Sequence, residues 1–173
     1  TSMLINLLRD HRPDRIAVGK ACCDAVNRGP TFADGKLVFS LLDGEAVAVD
    51  AKTGKPVWRT KLGDPASGMT ITMSPLVVGK AVLVGDSGGE MGVRGQLTAL
   101  DLDTGKELWR AYSTGPDKDV KIGPDFRAPY PWLAGKDLGA TTWPQGAWKR
   151  GGGTVWGWVS YDPELNLIYY GTS

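Results

Sequence analysis

The sequence predicts an all-β chain built from repeated four-stranded antiparallel units, on three observations. Its composition is rich in turn formers, with 24 Gly and 11 Pro among 173 residues, and it carries 7 Trp; helix is poorly supported by such a profile. One phrase occurs twice, at residues 48–58 and 99–109, with Ala, Asp, Thr, Gly, Lys and Trp at matching places. A second, hairpin-like phrase precedes each copy, at residues 30–39 and 75–84.

Residues 1–20 come first and form a segment of their own. The apolar run Met3-Leu4-Ile5-Asn6-Leu7-Leu8 is too short for a signal peptide, and Arg9-Asp10-His11-Arg12 stands where a small-residue cleavage site would be. No stretch approaches the roughly 20 apolar residues of a membrane span, so the expectation is a mature or truncated chain that does not cross a membrane. Net charge is +1 with both signs dispersed, which gives no electrostatic case for nucleic acid as a partner.

Next stand Cys22 and Cys23, the only cysteines and direct neighbours. Two readings are open from the residues alone. They can be ordinary small buried side chains, or they can be bonded in a strained ring far from relaxed disulfide geometry. Such a ring would close almost no loop, so it would add local rigidity and little stability. A zinc site made from these two alone lacks the usual four spaced ligands.

The strands follow. Residues 30–39 read as strand, Asp34-Gly35 turn, strand; residues 48–58 read as strand, Asp-x-x-Thr-Gly-Lys turn, and strand closing on Trp58. Gly54 and Gly105 stand where each repeated turn needs a left-handed residue. The second unit repeats the order, ending on Trp109. Residues 113–153, with Trp132, Trp143 and Trp148, interrupt the rhythm; a loop this long is a functional or packing element, read here as a cover over one end of the units. Residues 159–170 then repeat the first hairpin, with Asn166 near the turn.

A period of about 50 residues with four strands per unit is the pattern of a β-propeller, which hides its sheet edges by closing a ring. Two and a half blades cannot close one. The expectation is a piece of a longer chain, with residues 21–173 as a partial propeller domain.

The repeats, together with Cys22-Cys23-Asp24 through Gly29, Ser87-Gly88-Gly89-Glu90, Val93-Arg94-Gly95, residues 110–119 and Gly151-Gly152-Gly153-Thr154-Val155-Trp156-Gly157-Trp158, resemble the large subunits of the eight-bladed quinoprotein methanol and alcohol dehydrogenases. The likeness is nearly continuous from Ala21 to Thr172, and residues 1–20 match poorly. It implies a cofactor, pyrroloquinoline quinone, and a bound cation. It also implies a vicinal disulfide between Cys22 and Cys23 on one face of the quinone and Trp156 on the other, since two rigid walls bury and orient a flat ring. An oxidised pair would in turn imply the periplasm.

The same resemblance assigns Arg28 to the cofactor's carboxylates, where a planar, permanently charged fork suits an anion. Thr72, Ser87 and Thr154 would bond the cofactor's rim, and backbone at Gly88 and Gly89 would approach it closely. Glu90 corresponds to the metal-ligating glutamate, because a hard cation wants carboxylate oxygen. The implied reaction is alcohol oxidation: a carboxylate base takes the hydroxyl proton, hydride passes to the quinone carbonyl carbon beside the metal, and electrons leave singly to cytochrome c. The family's catalytic aspartate and metal-ligating asparagine would lie beyond Ser173, so no catalytic residue is assigned within this chain and the 173 residues alone are expected to be inactive. The longer protein is expected to be a homodimer.

Gly89 beside Glu90, residues 29–35 and residues 161–170 are more similar to the lanthanide-dependent branch than to the calcium-dependent one. Two other readings stand beside this one. A non-catalytic propeller of the outer-membrane assembly type needs the Thr-Gly-Lys turns and tryptophans but not Cys22, Cys23, Arg28, Glu90 and Trp156 together. A related quinoprotein could act on ethanol or glucose.

Overall fold

The computed structural model describes residues 11–21 and 25–173. Among the described residues, ten strands form three antiparallel sheets. The first has the order β1 (Thr31–Ala33), β2 (Lys36–Leu41), β3 (Glu45–Asp50), β4 (Pro56–Lys61); the second repeats it with β5 (Leu76–Val78), β6 (Ala81–Gly85), β7 (Gln96–Asp101) and β8 (Glu107–Tyr112). A third, two-stranded sheet pairs β9 (Val159–Asp162) with β10 (Leu167–Tyr170). Strand β5 packs beside both β1 and β9, so the opening strands of the three units lie next to one another, as in successive propeller blades.

The repeat extends to its irregularities. Register shifts between Ala48 and Val49 in the first sheet and between Ala99 and Leu100 in the second. Each repeated turn is organised by its aspartate: Asp50 Oδ1 accepts from Thr53 N at 2.7 Å and Thr53 Oγ1 at 2.8 Å, and Asp101 Oδ1 accepts from Thr104 N at 2.8 Å and Thr104 Oγ1 at 2.7 Å. Those hydroxyl and amide donors hold both carboxyls below the ordinary range.

Strand alternation fills the spaces between sheets. On β2, Leu37, Phe39 and Leu41 cluster on one face, while Val38 on the other joins Trp58, Ile71, Met73, Val82, Val84 and Leu100 between the first and second sheets. Leu83, Leu97, Ala99 and Val155 pack with Val159, Ile168 and Tyr170 between the second and third. At the rim, Lys80 Nζ bridges Asp34 at 2.8 Å and Asp103 at 3.0 Å, and Lys36 reaches Asp103 at 2.9 Å. These pairs fix the alignment of two neighbouring turns more than they stabilise the fold, because they are open to solvent.

Trp58 joins the first two sheets. It is buried, its Nε1 donates to Leu102 O at 2.8 Å, and Thr60 Oγ1 donates to Gly105 O at 2.7 Å. The ring lies on Gly105, where a Cβ would come within 2.6 Å of it, and Gly105 has φ +70°. Gly105→Ala should therefore combine the left-handed penalty with a clash and cost about 2–4 kcal/mol. Gly79, at φ +57° with open space around it, carries only the first effect, about 1–2 kcal/mol. Urea unfolding of the two variants should separate them; equal losses would show that the Trp58–Gly105 contact adds nothing. Trp109, at the matching place of the second repeat, is instead 36 % exposed. Its partner would be the Thr-Gly-Lys turn of a following unit, and residues 113–173 contain none.

Residues 113–153 carry two single-turn helices, α1 (Asp117–Val120) and α2 (Leu138–Thr141), and are held by Arg94. Its guanidinium lies over the rings of Tyr112 (4.0 Å) and Trp148 (4.5 Å). It also donates to Thr114 O from Nε at 3.0 Å and to Asp119 Oδ2 at 3.0 Å. Beside it, Gly95 N donates to Gly152 O at 2.9 Å and Gly152 N to Val93 O at 3.0 Å. The insertion thus returns the chain to the β6–β7 loop just before Thr154 and Trp156.

Candidate functional site

Four stretches meet at one cavity of about 400 Å³, within the range of small-molecule pockets. The segment before β1 brings Arg28, the connection from β4 to β5 brings Thr72, and the β6–β7 loop brings Ser87, Gly88 and Glu90; Trp156 enters from the return of the insertion. Ala21 and Val26 also line the cavity, bracketing in sequence the cysteine pair. Cys22 and Cys23 themselves lie outside the described residues.

Local structure explains each placement. Along residues 70–73, Ile71 and Met73 point into the core between the sheets, while Thr70 and Thr72 line the cavity, a period of two. Thr70 and Ser87 form an antiparallel bridge, with Ser87 N donating to Thr70 O at 2.8 Å. Gly88 turns the loop at φ +106°, where a Cβ would come within 2.2 Å of Gly68 O; only glycine lets the backbone pass.

The polar groups are already connected. Arg28 Nη1 donates to Thr72 Oγ1 at 2.9 Å and to Thr72 O at 3.1 Å, and Thr72 Oγ1 lies 3.1 Å from Ser87 Oγ. The guanidinium stands 5.2 Å from the Trp156 ring centre, within cation–π range. Trp156 is 44 % exposed, and its Nε1 donates to Ser173 Oγ at 2.6 Å. Glu90 is exposed at the rim. Among the described residues, no three His, Cys, Asp or Glu side chains gather into a metal-binding group.

Gly89 and Thr154 do not line the cavity. They sit together one layer behind it: a Cβ on Gly89 would be 3.2 Å from Thr154 Oγ1. Thr154 pairs with Ser173 through N to O at 3.0 Å and Oγ1 to Oγ at 3.1 Å.

Two groups near the cavity escaped the sequence reading. Thr70 Oγ1 is buried, lines the cavity, and has no hydrogen-bond partner among the described residues. The alternation Thr70-Ile71-Thr72-Met73 was the available signal for it. Asp86, just before Ser87, is 1 % exposed; its Oδ1 accepts from Gln96 N at 3.1 Å and Val155 N at 3.5 Å. Burial pushes its carboxyl up to about 7, against the pull of those amides and of Arg110. Nothing in the sequence distinguishes it from a solvated aspartate in a Gly-rich loop.

Comparison with known proteins identifies the architecture. Residues 13–130 match the family model described as outer membrane protein assembly factor BamB. The chain is 54 % identical over 157 residues to a lanthanide-dependent methanol dehydrogenase of Methylacidiphilum fumariolicum, covering 91 % of this chain and 26 % of that protein. It is 50 % identical over 158 residues to methanol dehydrogenase [cytochrome c] subunit 1 of Methylorubrum extorquens, covering 88 % and 25 %. The chain belongs to the methanol and alcohol dehydrogenase branch of this repeat family. A solved europium-containing methanol dehydrogenase superposes with a TM-score of 0.88 at 52 % identity, covering 94 % of this chain and 28 % of that one. The chain therefore spans about a quarter of the length of the dehydrogenases it matches, and its antiparallel sheets are propeller blades of that family.

Proposed function

We propose that this chain is part of a periplasmic quinoprotein dehydrogenase that oxidises methanol or another primary alcohol to the aldehyde. In this reading it uses pyrroloquinoline quinone and a metal ion, passes electrons to cytochrome c, and works as a homodimer. Residues 21–173 supply part of its propeller domain. The observation that carries the reading is the convergence of Arg28, Thr72, Ser87, Glu90 and Trp156 on one cavity beside the cysteine-bearing segment. The names of the relatives support its finer points: one is lanthanide-dependent, one names cytochrome c, and a solved one contains europium.

The residues present fit a flat anionic ring. Thr70 Oγ1 is a buried polar atom without a partner among the described residues, and leaving such an atom unpaired costs about 1–3 kcal/mol; a ligand rim at that wall would satisfy it. Arg28 is preorganised by Thr72 to meet a carboxylate. Trp156 offers an aromatic wall steadied through Ser173, and the Gly88 backbone shapes the floor. Bound there, the quinone would supply the electron acceptor for alcohol oxidation. Glu90 offers carboxylate oxygen to a hard cation, lanthanide before calcium on this reading. It is one ligand; the others, like the catalytic aspartate, belong to residues following Ser173, so the 173 residues alone are inactive.

The test uses a polypeptide that carries this segment at the length of its relatives, reconstituted with the quinone and with either a lanthanide or calcium. It should show a bound quinone chromophore and dye-linked oxidation, faster on methanol than on ethanol or glucose. Glu90→Gln should lower the metal-dependent rate about 100-fold or more. The family model's description favours a second reading, a non-catalytic assembly scaffold. A protein that binds neither quinone nor metal would decide for it.

A further inference from the structure

We propose that a second cavity, back to back with the first across the β6–β7 loop, is a subsite for a short-chain neutral alcohol whose hydroxyl bridges Asp86 and Arg110. This site is separate from the quinone pocket and stands whether or not that reading holds.

The second cavity has a volume of about 310 Å³, at the lower end of the range for small-molecule pockets. Leu62 and Met69 come to it from the connection between β4 and β5, Asp86 and Val93 from the β6–β7 loop, Gln96 from the start of β7, and Arg110 from β8. Ser87, next to Asp86, lines the first cavity, so the two spaces share one loop as a wall. Leu62, Met69 and Val93 are buried and form an apolar floor. Ser67 and Gly92 also line the space and are exposed, which gives it a mouth to solvent.

Two buried polar atoms of its lining residues lack partners among the described residues: Asp86 Oδ2, an acceptor, and Arg110 Nε, a donor. Asp86 is 1 % exposed. Its Oδ1 already accepts from the amides of Gln96 at 3.1 Å and Val155 at 3.5 Å, which favour the carboxylate, and Oδ2 is left to take a further hydrogen bond. Arg110 is fixed in a similar way. Its Nη1 donates to Gln96 Oε1 at 3.1 Å and its Nη2 to Glu107 Oε2 at 2.7 Å, which leaves Nε over. The guanidinium attracts the Asp86 carboxyl through space. Burial of an unpaired donor and an unpaired acceptor is costly, and a bridging group that accepts from Nε and donates to Oδ2 removes the cost. A hydroxyl does both from one oxygen. Charge selects a neutral carrier, because an ammonium would face Arg110 and Arg94, which also lines the cavity, and a carboxylate would face Asp86. The apolar floor favours a short alkyl body over water.

The test uses a cofactor-free polypeptide at the length of the relatives, with trifluoroethanol as the probe. Soaked crystals should show the trifluoromethyl group against Leu62, Met69 and Val93, and the hydroxyl between Asp86 Oδ2 and Arg110 Nε. Fluorine NMR then measures the affinity. Arg110→Met keeps an apolar stem but removes the donor, and should raise the Kd about tenfold or more, the loss of a hydrogen bond to a charged group. Asp86→Asn keeps the Oδ1 acceptor for both amides and puts a donor where the hydroxyl needs an acceptor. It should weaken binding about as much, and it decides the matter if Arg110→Met does not fold. Equal affinity in the wild type and the folded variants overturns the proposal. So does alcohol density confined to the first cavity, or a lone oxygen between the two groups that persists through the soak, which would assign the bridge to water. Absence of quinone binding with the trifluoroethanol site intact would defeat the pocket reading alone.

Discussion

Trp58→Ala should be the most destabilising single substitution in the blades, costing about 3–5 kcal/mol, the range for truncating a buried tryptophan. The ring is buried between two sheets, so its removal leaves a cavity rather than a surface dent. Its Nε1–H is the partner of Leu102 O, and that carbonyl would be left facing apolar side chains. Trp58→Phe should recover the packing but not the hydrogen bond and lose about half as much. Trp109→Ala, at the matching position of the second sheet but partly in water, should cost about 1 kcal/mol in the same 173 residues. Chemical denaturation of the three variants would measure the ordering. If Trp58→Ala and Trp109→Ala lost the same amount, docking of one blade on the next would not be what holds the sheets together.

That contrast also shows how far the fold is legible in the residues. The repeated phrase carries turn chemistry and docking tryptophan together, and both copies fold alike down to the register shift. The hairpins at Asp34-Gly35 and Gly79-Lys80 are equally readable, because positive φ at each turn selects residues that tolerate it. What the repeat does not say is whether a docking tryptophan has anything to dock on, because that depends on a neighbouring unit. Trp58 and Trp109 stand at matching places of the repeat and differ in burial for that reason.

The cavity follows the same division. Arg28, Glu90 and Trp156 stand in motifs distinctive enough to single out, and the structure brings them to one place. Thr154 and Gly89 share those motifs but sit behind the wall, where they shape it through Ser173 and the glycine loop. Asp86 was invisible, because burial of a carboxylate is a consequence of how three distant stretches pack. Its partners are ten and 69 residues away along the chain, and no local pattern encodes that.

Trp156→Ala should raise the Kd for pyrroloquinoline quinone roughly 150- to 400-fold. The argument is one of area and charge. A planar cofactor lying on the indole would remove roughly 100 Å² of apolar surface from water, about 2.5 kcal/mol, with a smaller contribution from aromatic stacking geometry. Truncation also takes from Arg28 the ring beneath its guanidinium, about 0.5–1 kcal/mol at a partly exposed site, and frees the fork from the direction in which it would meet a carboxylate. Trp156→Phe keeps a flat wall but loses the Nε1–H bond to Ser173, so it should weaken binding about threefold to tenfold. The fold should tolerate both, since the indole is 44 % exposed and large stability losses come from buried sites. Quinone titration by absorbance, alongside thermal unfolding without cofactor, separates the two effects. Unchanged binding in Trp156→Ala would mean that the indole is not a wall of the pocket. Weakened binding with an equally weakened fold would assign it to packing, the role that Trp58 fills between the first two blades.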